Sequence, residues 1–262
     1  MNIKYYLFNP TGNITPLVET HVPVEIHPAV ATELMKLEPT AEQVGFINEN
    51  RLRLAGGEFC GNAAMSAAAL ICLKDGIKSG ESRKISLSVS GAENEVDVSV
   101  TAQQDSSCEC TVNMPKPLSV GELTLHYDGS PYTFGAVDFG GIVHLIAGNT
   151  VMDKTDAENA AKKWCADLGA DAIGIMFYDS EKSAVTPLVH VRNAQTLFWE
   201  KSCASGTAAV GAYLFNRKKK PVSLTLDEPG GKLSVYADGE EIKLTGRVKL
   251  MKTASVNIEN IE

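Results

Sequence analysis

The sequence predicts a mixed α/β (α+β) fold built from two similar halves, and three observations lead to this prediction. Segments in both halves alternate apolar and polar residues, as half-buried β-strands do. Two helix-like segments, residues 63–73 and 205–215, are apolar or small nearly all round, which indicates burial on every side. Each of these helices follows a cysteine, Cys60 or Cys203, and the two cysteines lie slightly more than half the chain length apart. This spacing predicts a duplicated lobe.

Short strands account for most of the predicted structure. In the first half, residues 85–89 and 96–100 alternate cleanly. In the second half, residues 123–127 run into Asp128-Gly129, which is a hairpin turn signal. Further strands are predicted at residues 224–226, 232–236 and 241–244, with a turn at Asp238-Gly239.

Helical patterns are fewer. They predict helices over residues 28–37, 63–73, 153–168 and 205–215. Strand-like segments at 51–54 and 188–192 lead towards the two cysteines, so each cysteine is predicted to lie at the N-terminus of a buried helix. Backbone N–H groups and the helix dipole lower a thiol pKa there and attract an anion such as a carboxylate. The small residues Gly61 and Ala204-Ser205-Gly206 would let ligand atoms approach those N–H groups.

Composition and charge exclude several classes of partner. A net charge of −8 in 262 residues argues against a nucleic-acid partner, because such proteins need clustered cations. The N-terminus lacks the apolar segment of a secretory signal, and the longest apolar stretch, residues 63–73, is too short to span a bilayer. We therefore expect a cytoplasmic protein with no membrane partner.

The six cysteines have the spacing of neither a disulfide framework nor a zinc site, so we expect reduced thiols. Cys72, Cys108, Cys110 and Cys165 are interpreted as structural, because free cysteines are commonly small buried residues. Cys60 and Cys203 differ from these four in their position before a buried helix.

Two thiols at such positions can invert an α-carbon. The reaction needs a base on one face of the carbon and an acid on the other, and the two thiols exchange these roles in the reverse direction. Two helix N-termini directed at the substrate carboxylate would stabilise the charge of the carbanion. The sequence contains no Gly-x-Gly-x-x-Gly loop, no Walker lysine loop and no His-Glu-x-x-His helix. We therefore expect no cofactor and no metal.

The cysteine motifs, Cys60-Gly61-Asn62-Ala63-Ala64 and Cys203-Ala204-Ser205-Gly206-Thr207, resemble those of the diaminopimelate epimerase superfamily. Segments at residues 9–13, 42–47, 57–60, 199–203 and 229–231 extend the resemblance over nearly the whole chain. The resemblance implies two pseudo-symmetric lobes, each a curled sheet around a central buried helix. We expect one lobe over residues 1–118 and the other over 119–262, and the last strand could return to the first lobe.

The resemblance also implies residue roles. Cys60 and Cys203 would be the catalytic acid–base pair. The implied substrate-binding groups are the backbone N–H groups of Gly61, Asn62, Ala204 and Ser205 for the α-carboxylate, and the side chains of Asn13, Glu42 and Glu200, the last for the substrate ammonium group. The spacing of Glu200 from Cys203 differs from that in diaminopimelate epimerases. Relatives are often homodimers, so a homodimer is a further expectation.

Departures from the diaminopimelate epimerase pattern bear on the substrate. Those enzymes have Gly-Asn-Pro-His where this chain has Gly141-Ile142-Val143-His144, and their arginine-containing run is shortened here to Trp199-Glu200-Lys201-Ser202. A distal amino-acid head would therefore lose polar partners. The motif set resembles most closely the histidine racemases, including those that supply D-histidine for an opine-type metallophore. The expected substrate is L-histidine, without a cofactor.

Several alternatives stay open at this point. Diaminopimelate epimerisation would keep the same mechanism, and a non-catalytic dithiol redox or amino-acid-binding protein would use Cys60 and Cys203 differently. His144 is equally consistent with a cleft position and with a satisfied histidine in a sheet, whereas His190 is interpreted as structural. Phe198 and Trp199 could shape a pocket, but core positions are the more common use of such residues.

Oxidation tests the expected pairing of the cysteines. Mild oxidation should join Cys60 to Cys203 and abolish the racemase activity that the resemblance implies, because neither thiol could then carry a proton. Peptide mapping would verify the disulfide, and a reductant should restore activity. Full activity with the Cys60–Cys203 disulfide in place would disprove the pairing.

Overall fold

The computed structural model describes residues 1–148, 150, 152–193 and 195–258. Within these ranges the chain forms a short 3-10 helix at Val24–Ile26 and four α-helices. The α-helices are α1 (His27–Leu37), α2 (Gly61–Lys74), α3 (Lys154–Asp167) and α4 (Ala204–Lys218). In the same part of the chain, no helix combines the length and the apolar character that crossing a membrane requires.

Strands make up most of the remaining structure. The first eight are β1 (Asn2–Pro10), β2 (Thr15–Val18), β3 (Gly45–Asn48), β4 (Arg51–Leu54), β5 (Ser82–Val89), β6 (Val96–Ala102), β7 (Ser107–Met114) and β8 (Ser119–Tyr127). The others are β9 (Ser130–Asp138), β10 (Val143–Gly148), β11 (Ala172–Asp179), β12 (Ala184–Val191), β13 (Thr196–Trp199), β14 (Val222–Glu228), β15 (Gly231–Ala237) and β16 (Ile242–Asn257). The predicted mixed α/β class is confirmed.

The chain divides into two compact units. The first comprises Met1–Asn113 together with the residues from Thr245 onwards, and the second is Met114–Leu244. Strand β16 begins in the second unit, but most of its length belongs to the first.

In the first unit, the sheet closes on itself around α2. The strands follow the order β1 to β7 and then β16, and β16 also pairs antiparallel with β1, from Val248 to Asn257. Helix α2 packs against β1, β2, β4, β5 and β6. Because strands surround it, nearly every residue of α2 is buried, including Ala63, Ala67 and Ala68. The prediction of a helix buried on every side is therefore confirmed here.

The second unit repeats this plan around α4. Its strands follow the order β8-β9-β10-β11-β12-β14-β15, and α4 packs against β8, β9, β10, β11, β14 and β15. Small residues again let the sheet approach the helix. A Cβ atom on Gly211 would lie 2.6 Å from Val235 Cγ2, and one on Gly206 would lie 2.1 Å from Met176 Sδ. A separate hydrophobic cluster forms around Trp164 of α3, which packs against β11 and β12.

Most predicted elements are confirmed, and one is corrected. All four predicted helices form, and the turns at Asp128-Gly129 and Asp238-Gly239 join the strands as expected. The strand predicted to lead into Cys203, residues 188–192, is in fact the end of β12, and β13 follows it. Strand β13 has three large apolar residues in succession, Leu197, Phe198 and Trp199, so it lacks the alternating pattern that indicated the equally short β4.

Overpacking of α2 should destabilise the first unit. Ala68 is completely buried, so Ala68→Leu adds three carbon atoms where no space exists and should lower the free energy of unfolding by about 1–3 kcal/mol. Urea denaturation monitored by circular dichroism would measure the change. The matched control is Ala166→Leu on α3, where the alanine is exposed. Equal stability of the two variants would contradict the packing described here.

Candidate active site

Cys60 and Cys203 occupy the same structural position in their respective units. Cys60 is the N-cap residue of α2, and Cys203 is the N-cap residue of α4. Both have extended backbones, with φ −138° and ψ 116° for Cys60 and φ −127° and ψ 104° for Cys203. The Cys60 carbonyl accepts from Ala64 N at 3.0 Å, and the Cys203 carbonyl accepts from Thr207 N at 2.9 Å. The predicted placement at helix N-termini is therefore confirmed.

The residues that follow each cysteine form the first turn of its helix. They are Gly61 and Asn62 in α2, and Ala204 and Ser205 in α4. The first turn of an α-helix directs its backbone N–H groups away from the helix, and with the helix dipole these groups attract an anion. Each turn thus combines a thiol with N–H groups suited to a carboxylate.

A turn of the neighbouring hairpin braces the segment before Cys60. The Ser90 hydroxyl donates to the Glu58 carbonyl at 2.9 Å and accepts from Leu54 N at 3.0 Å. Gly91 has φ +74°, and a Cβ atom there would lie 2.3 Å from Phe59 N. Only glycine therefore fits this close backbone contact, which fixes the approach to Cys60.

The segment before Cys203 is braced in a corresponding way by the turn between β14 and β15. Gly230 N donates to the Lys201 carbonyl at 2.7 Å, and Lys201 lies two residues before the cysteine, as Glu58 does in the first unit. Glu228 adds a second brace. Its carboxylate accepts from the Cys203 backbone N–H at 2.8 Å and from the Thr207 hydroxyl.

The environment of Cys203 corrects one sequence-based expectation. Only 6% of the residue is exposed, and burial raises the pKa of its thiol well above the usual range. The negative charges of Glu200 and Glu228 raise this pKa further, whereas hydrogen bonds from the Gly206 N–H and from Ser205 lower it. The expected lowering of the Cys203 pKa by its helix N-terminus is therefore wrong, because burial and two carboxylates outweigh the local donors.

The structure also decides between the two interpretations of His144. This residue is completely buried in β10, and its Nε2 shares a hydrogen bond with Ser205 Oγ at 2.9 Å. Ser205 Oγ in turn contacts Cys203 Sγ at 3.7 Å. Burial lowers the pKa of His144 to about 3, so its ring is neutral. His144 therefore lies in the sheet and also contacts the first turn of α4.

Gly206 is required for a reason that the sequence did not indicate. Its missing side chain leaves room for Met176, and a Cβ atom there would also lie 3.2 Å from Cys203 Sγ. A larger residue here would collide with Met176 and crowd the thiol of Cys203, so glycine is required by packing.

Asn13 and Glu42 lie together in the first unit. Asn13 Nδ2 donates to Glu42 Oε2 at 2.5 Å, and Asn13 Oδ1 accepts from Gln43 Nε2 at 2.7 Å. Asn13 is buried, whereas Glu42 and Gln43 are half-buried. The sequence analysis named the first two residues but missed Gln43, which also donates to Thr15 Oγ1 at 3.0 Å.

The remaining residues considered in the sequence are placed as follows. His190 is buried, and its Nδ1 lies 2.7 Å from the Thr196 carbonyl, in agreement with a structural role. Trp199 is half-buried, stacks on Phe177 and donates from Nε1 to Glu158 at 2.8 Å. The expectation of a core position is wrong for Phe198, which is 42% exposed because it lies on the outer face of β13. The other four cysteines are buried free thiols: Cys72, Cys108, Cys110 and Cys165.

Glu228 and Thr207 are the residues near Cys203 that the sequence analysis missed as functional candidates. A signal for Glu228 was present in the alternation of β14, where Val222 and Leu226 are buried on the same side of the strand. Glu228 continues this inward-facing series and places a carboxyl group where an apolar residue is expected.

In the part of the chain that the structure describes, no group of three or more His, Cys, Asp or Glu side chains could hold a metal ion.

Comparison with known proteins identifies the family. A family model for the N-terminal domain of the histidine racemase CntK matches residues 2–258. A histidine racemase from Fusobacterium nucleatum is 34% identical over 262 residues, which cover 98% of this chain and 97% of that protein. A histidine racemase from Staphylococcus aureus is 26% identical over 282 residues, with 98% of each chain covered. A hydroxyproline epimerase from Agrobacterium vitis shares the fold, with a TM-score of 0.73 at 12% identity, 99% coverage of this chain and 93% of that one. The resemblance stated from the sequence is thereby confirmed, and the chain belongs to the histidine racemase family of isomerases.

Proposed function

We propose that this chain interconverts L- and D-histidine by moving the α-hydrogen between Cys60 and Cys203. The observation that carries this mechanism is the equivalent placement of the two cysteines, each the N-cap residue of a buried helix whose first turn offers N–H groups. The choice of histidine is supported by the relatives named histidine racemases, which match the chain over nearly its full length.

The proton transfer requires one thiolate and one thiol. The thiolate removes the α-proton, and the thiol donates its own proton to the opposite face of the planar carbanion. After one turnover the first cysteine is the thiol and the second is the thiolate, so the reverse direction starts from the exchanged state. The raised pKa of Cys203 favours its thiol form. We therefore assign Cys60 as the base and Cys203 as the acid in the resting enzyme.

The substrate carboxylate must accept charge as the α-proton leaves. We assign its binding to the backbone N–H groups of Gly61, Asn62, Ala204 and Ser205, which the helix dipoles make favourable for an anion. Because these groups are fixed in helices before the substrate arrives, they need no reorganisation during the reaction.

We assign the substrate ammonium group to carboxylates. Glu200 is half-buried and acts electrostatically on Cys203, so a cation bound there would lie near the reacting centre. Glu42, held by Asn13, is a second candidate carboxylate, in the first unit. A bound ammonium would also offset the negative charge of the thiolate.

Two further features belong to the proposal. A mechanism that needs one free thiolate and one free thiol suits a reducing compartment, so we propose the cytoplasm. We also propose a homodimer, as the resemblance implies. The departures at residues 141–144 and 199–202 argue against diaminopimelate, whose distal head would lose polar partners.

Exchange of the α-proton in D2O would test the proposed reaction. Reduced protein should exchange the α-proton of L-histidine and produce D-histidine, as detected by NMR and chiral chromatography. Cys60→Ser and Cys203→Ser should each reduce racemisation by at least about a thousandfold, because a serine hydroxyl is a far weaker acid and base at this position. The matched control is Cys165→Ser, which removes a buried thiol from α3 and should keep the activity.

Each alternative gives a different result in this assay. Exchange with LL-diaminopimelate but not with histidine would make the chain a diaminopimelate epimerase. Exchange with neither substrate would favour a redox or binding protein. Retained activity in either Cys60→Ser or Cys203→Ser would refute the two-thiol mechanism even if histidine is racemised.

A further inference from the structure

Glu228 is an unusual residue in the core of the second unit. It ends β14 and is 7% exposed, with Val222 and Leu226 on the same side of the strand. Burying a carboxylate is costly unless hydrogen bonds compensate. Here one oxygen accepts from the Cys203 backbone N–H and the other accepts from the Thr207 hydroxyl. Both partners belong to the start of α4.

We propose that Glu228 is a positioning residue for Cys203: its carboxylate fixes the backbone at the start of α4, and its negative charge adds to the effects of burial and of Glu200 that favour the protonated thiol. This role in the reaction rests on the function proposed above. The effect on the thiol itself can be measured without substrate, so the two proposals can fail separately.

In the first unit, neutral groups contribute to bracing the corresponding loop. There, the corresponding turn uses the neutral Ser90 hydroxyl and the close backbone contact of Gly91. The second unit has a backbone brace as well, from Gly230 N to the Lys201 carbonyl. Glu228 therefore adds a carboxylate to a loop that a backbone hydrogen bond already holds. This additional carboxylate lies beside Cys203, the more buried of the two cysteines.

Two carboxylates and several neutral groups act on the Cys203 thiol. Neutral groups come from α4, namely Ser205 and Gly206, and from β10, where His144 is uncharged. The carboxylates that act on the thiol are Glu200, before α4, and Glu228 on β14. Burial raises the pKa of Glu228 to about 7. As the pH rises through this value, Glu228 gains its negative charge, and the Cys203 thiol then becomes harder to ionise.

Glu228→Gln separates the charge from the hydrogen bonds. The amide oxygen can accept from the Cys203 N–H, and the amide nitrogen can donate to the Thr207 hydroxyl, which accepts as readily as it donates. The variant is nearly isosteric and lacks only the charge. Asp227→Asn is the matched control, because Asp227 is the adjacent residue of β14 but is exposed and paired with Lys232.

The experiment measures the rate at which iodoacetamide alkylates Cys203 between pH 6 and 10, with peptide mass spectrometry to isolate this cysteine from the other five. The thiolate is the reacting species, so the rate follows thiol ionisation. We expect Glu228→Gln to shift the rise of this rate to lower pH and to raise the rate at pH 8 by about 3- to 10-fold. Asp227→Asn should leave the profile unchanged.

The racemisation profile provides a second reading. Activity is lost at high pH when both thiols are ionised, so the alkaline limb of kcat/KM should move to lower pH in Glu228→Gln, in the same direction as the alkylation profile. Glu228→Ala removes the same charge as well as both hydrogen bonds. Whichever of the two variants stays folded by circular dichroism therefore decides the question.

An unchanged alkylation rate profile in the folded variant would overturn the role of Glu228. A profile that shifts equally in Asp227→Asn would also overturn it, because the effect would then be one of general surface charge. A shifted profile in a protein that does not racemise histidine would support the electrostatic role of Glu228 and reject the proposed function.

Discussion

Enclosure of a helix by a sheet is the constraint on which the rest of this structure depends. Helices α2 and α4 are buried along most of their length, so their side chains must be small enough for strands to approach. Alanine and glycine meet this requirement, and Gly211 against Val235 shows how little room is left. A helix held in this way cannot shift or tilt without disturbing several strands. The residue at its N-terminus is consequently fixed as firmly as the core itself, which is the precision that acid–base chemistry requires.

The two units share a plan but differ in the chemistry of its details. Each has a short strand, an entry loop, a buried helix and a hairpin whose turn holds that loop. The first unit holds it with Ser90 and Gly91, and its cysteine is half-buried. The second adds Glu228, Ser205 and His144 around a buried cysteine. A duplicated architecture thus places two thiols in unlike environments. Such a difference can favour the protonated thiol form of one cysteine and the ionised thiolate form of the other.

The sequence was sufficient for features that depend on local pattern. The two central helices are apolar or small nearly all round, which indicated burial, and the cysteines before them were correctly placed at helix N-termini. Features that depend on the balance of distant groups were not predictable. The pKa of Cys203 is set by burial and by carboxylates on other elements, so the helix terminus alone gave the wrong direction. Strand β13 was missed because its sequence does not alternate apolar and polar residues, and the contact between His144 and Ser205 joins residues 61 positions apart.

The pairing of β1 with β16 has a consequence for the order in which the protein folds. Asn2 lies opposite Asn257, so β1 pairs with a strand that is synthesised much later. The second unit, Met114–Leu244, is continuous in sequence and has all its strands available earlier. During synthesis it can therefore assemble while β1 still has an open edge, and the first sheet closes only when β16 emerges. Until then, the unit that carries Cys60 has an open sheet edge that is exposed to aggregation.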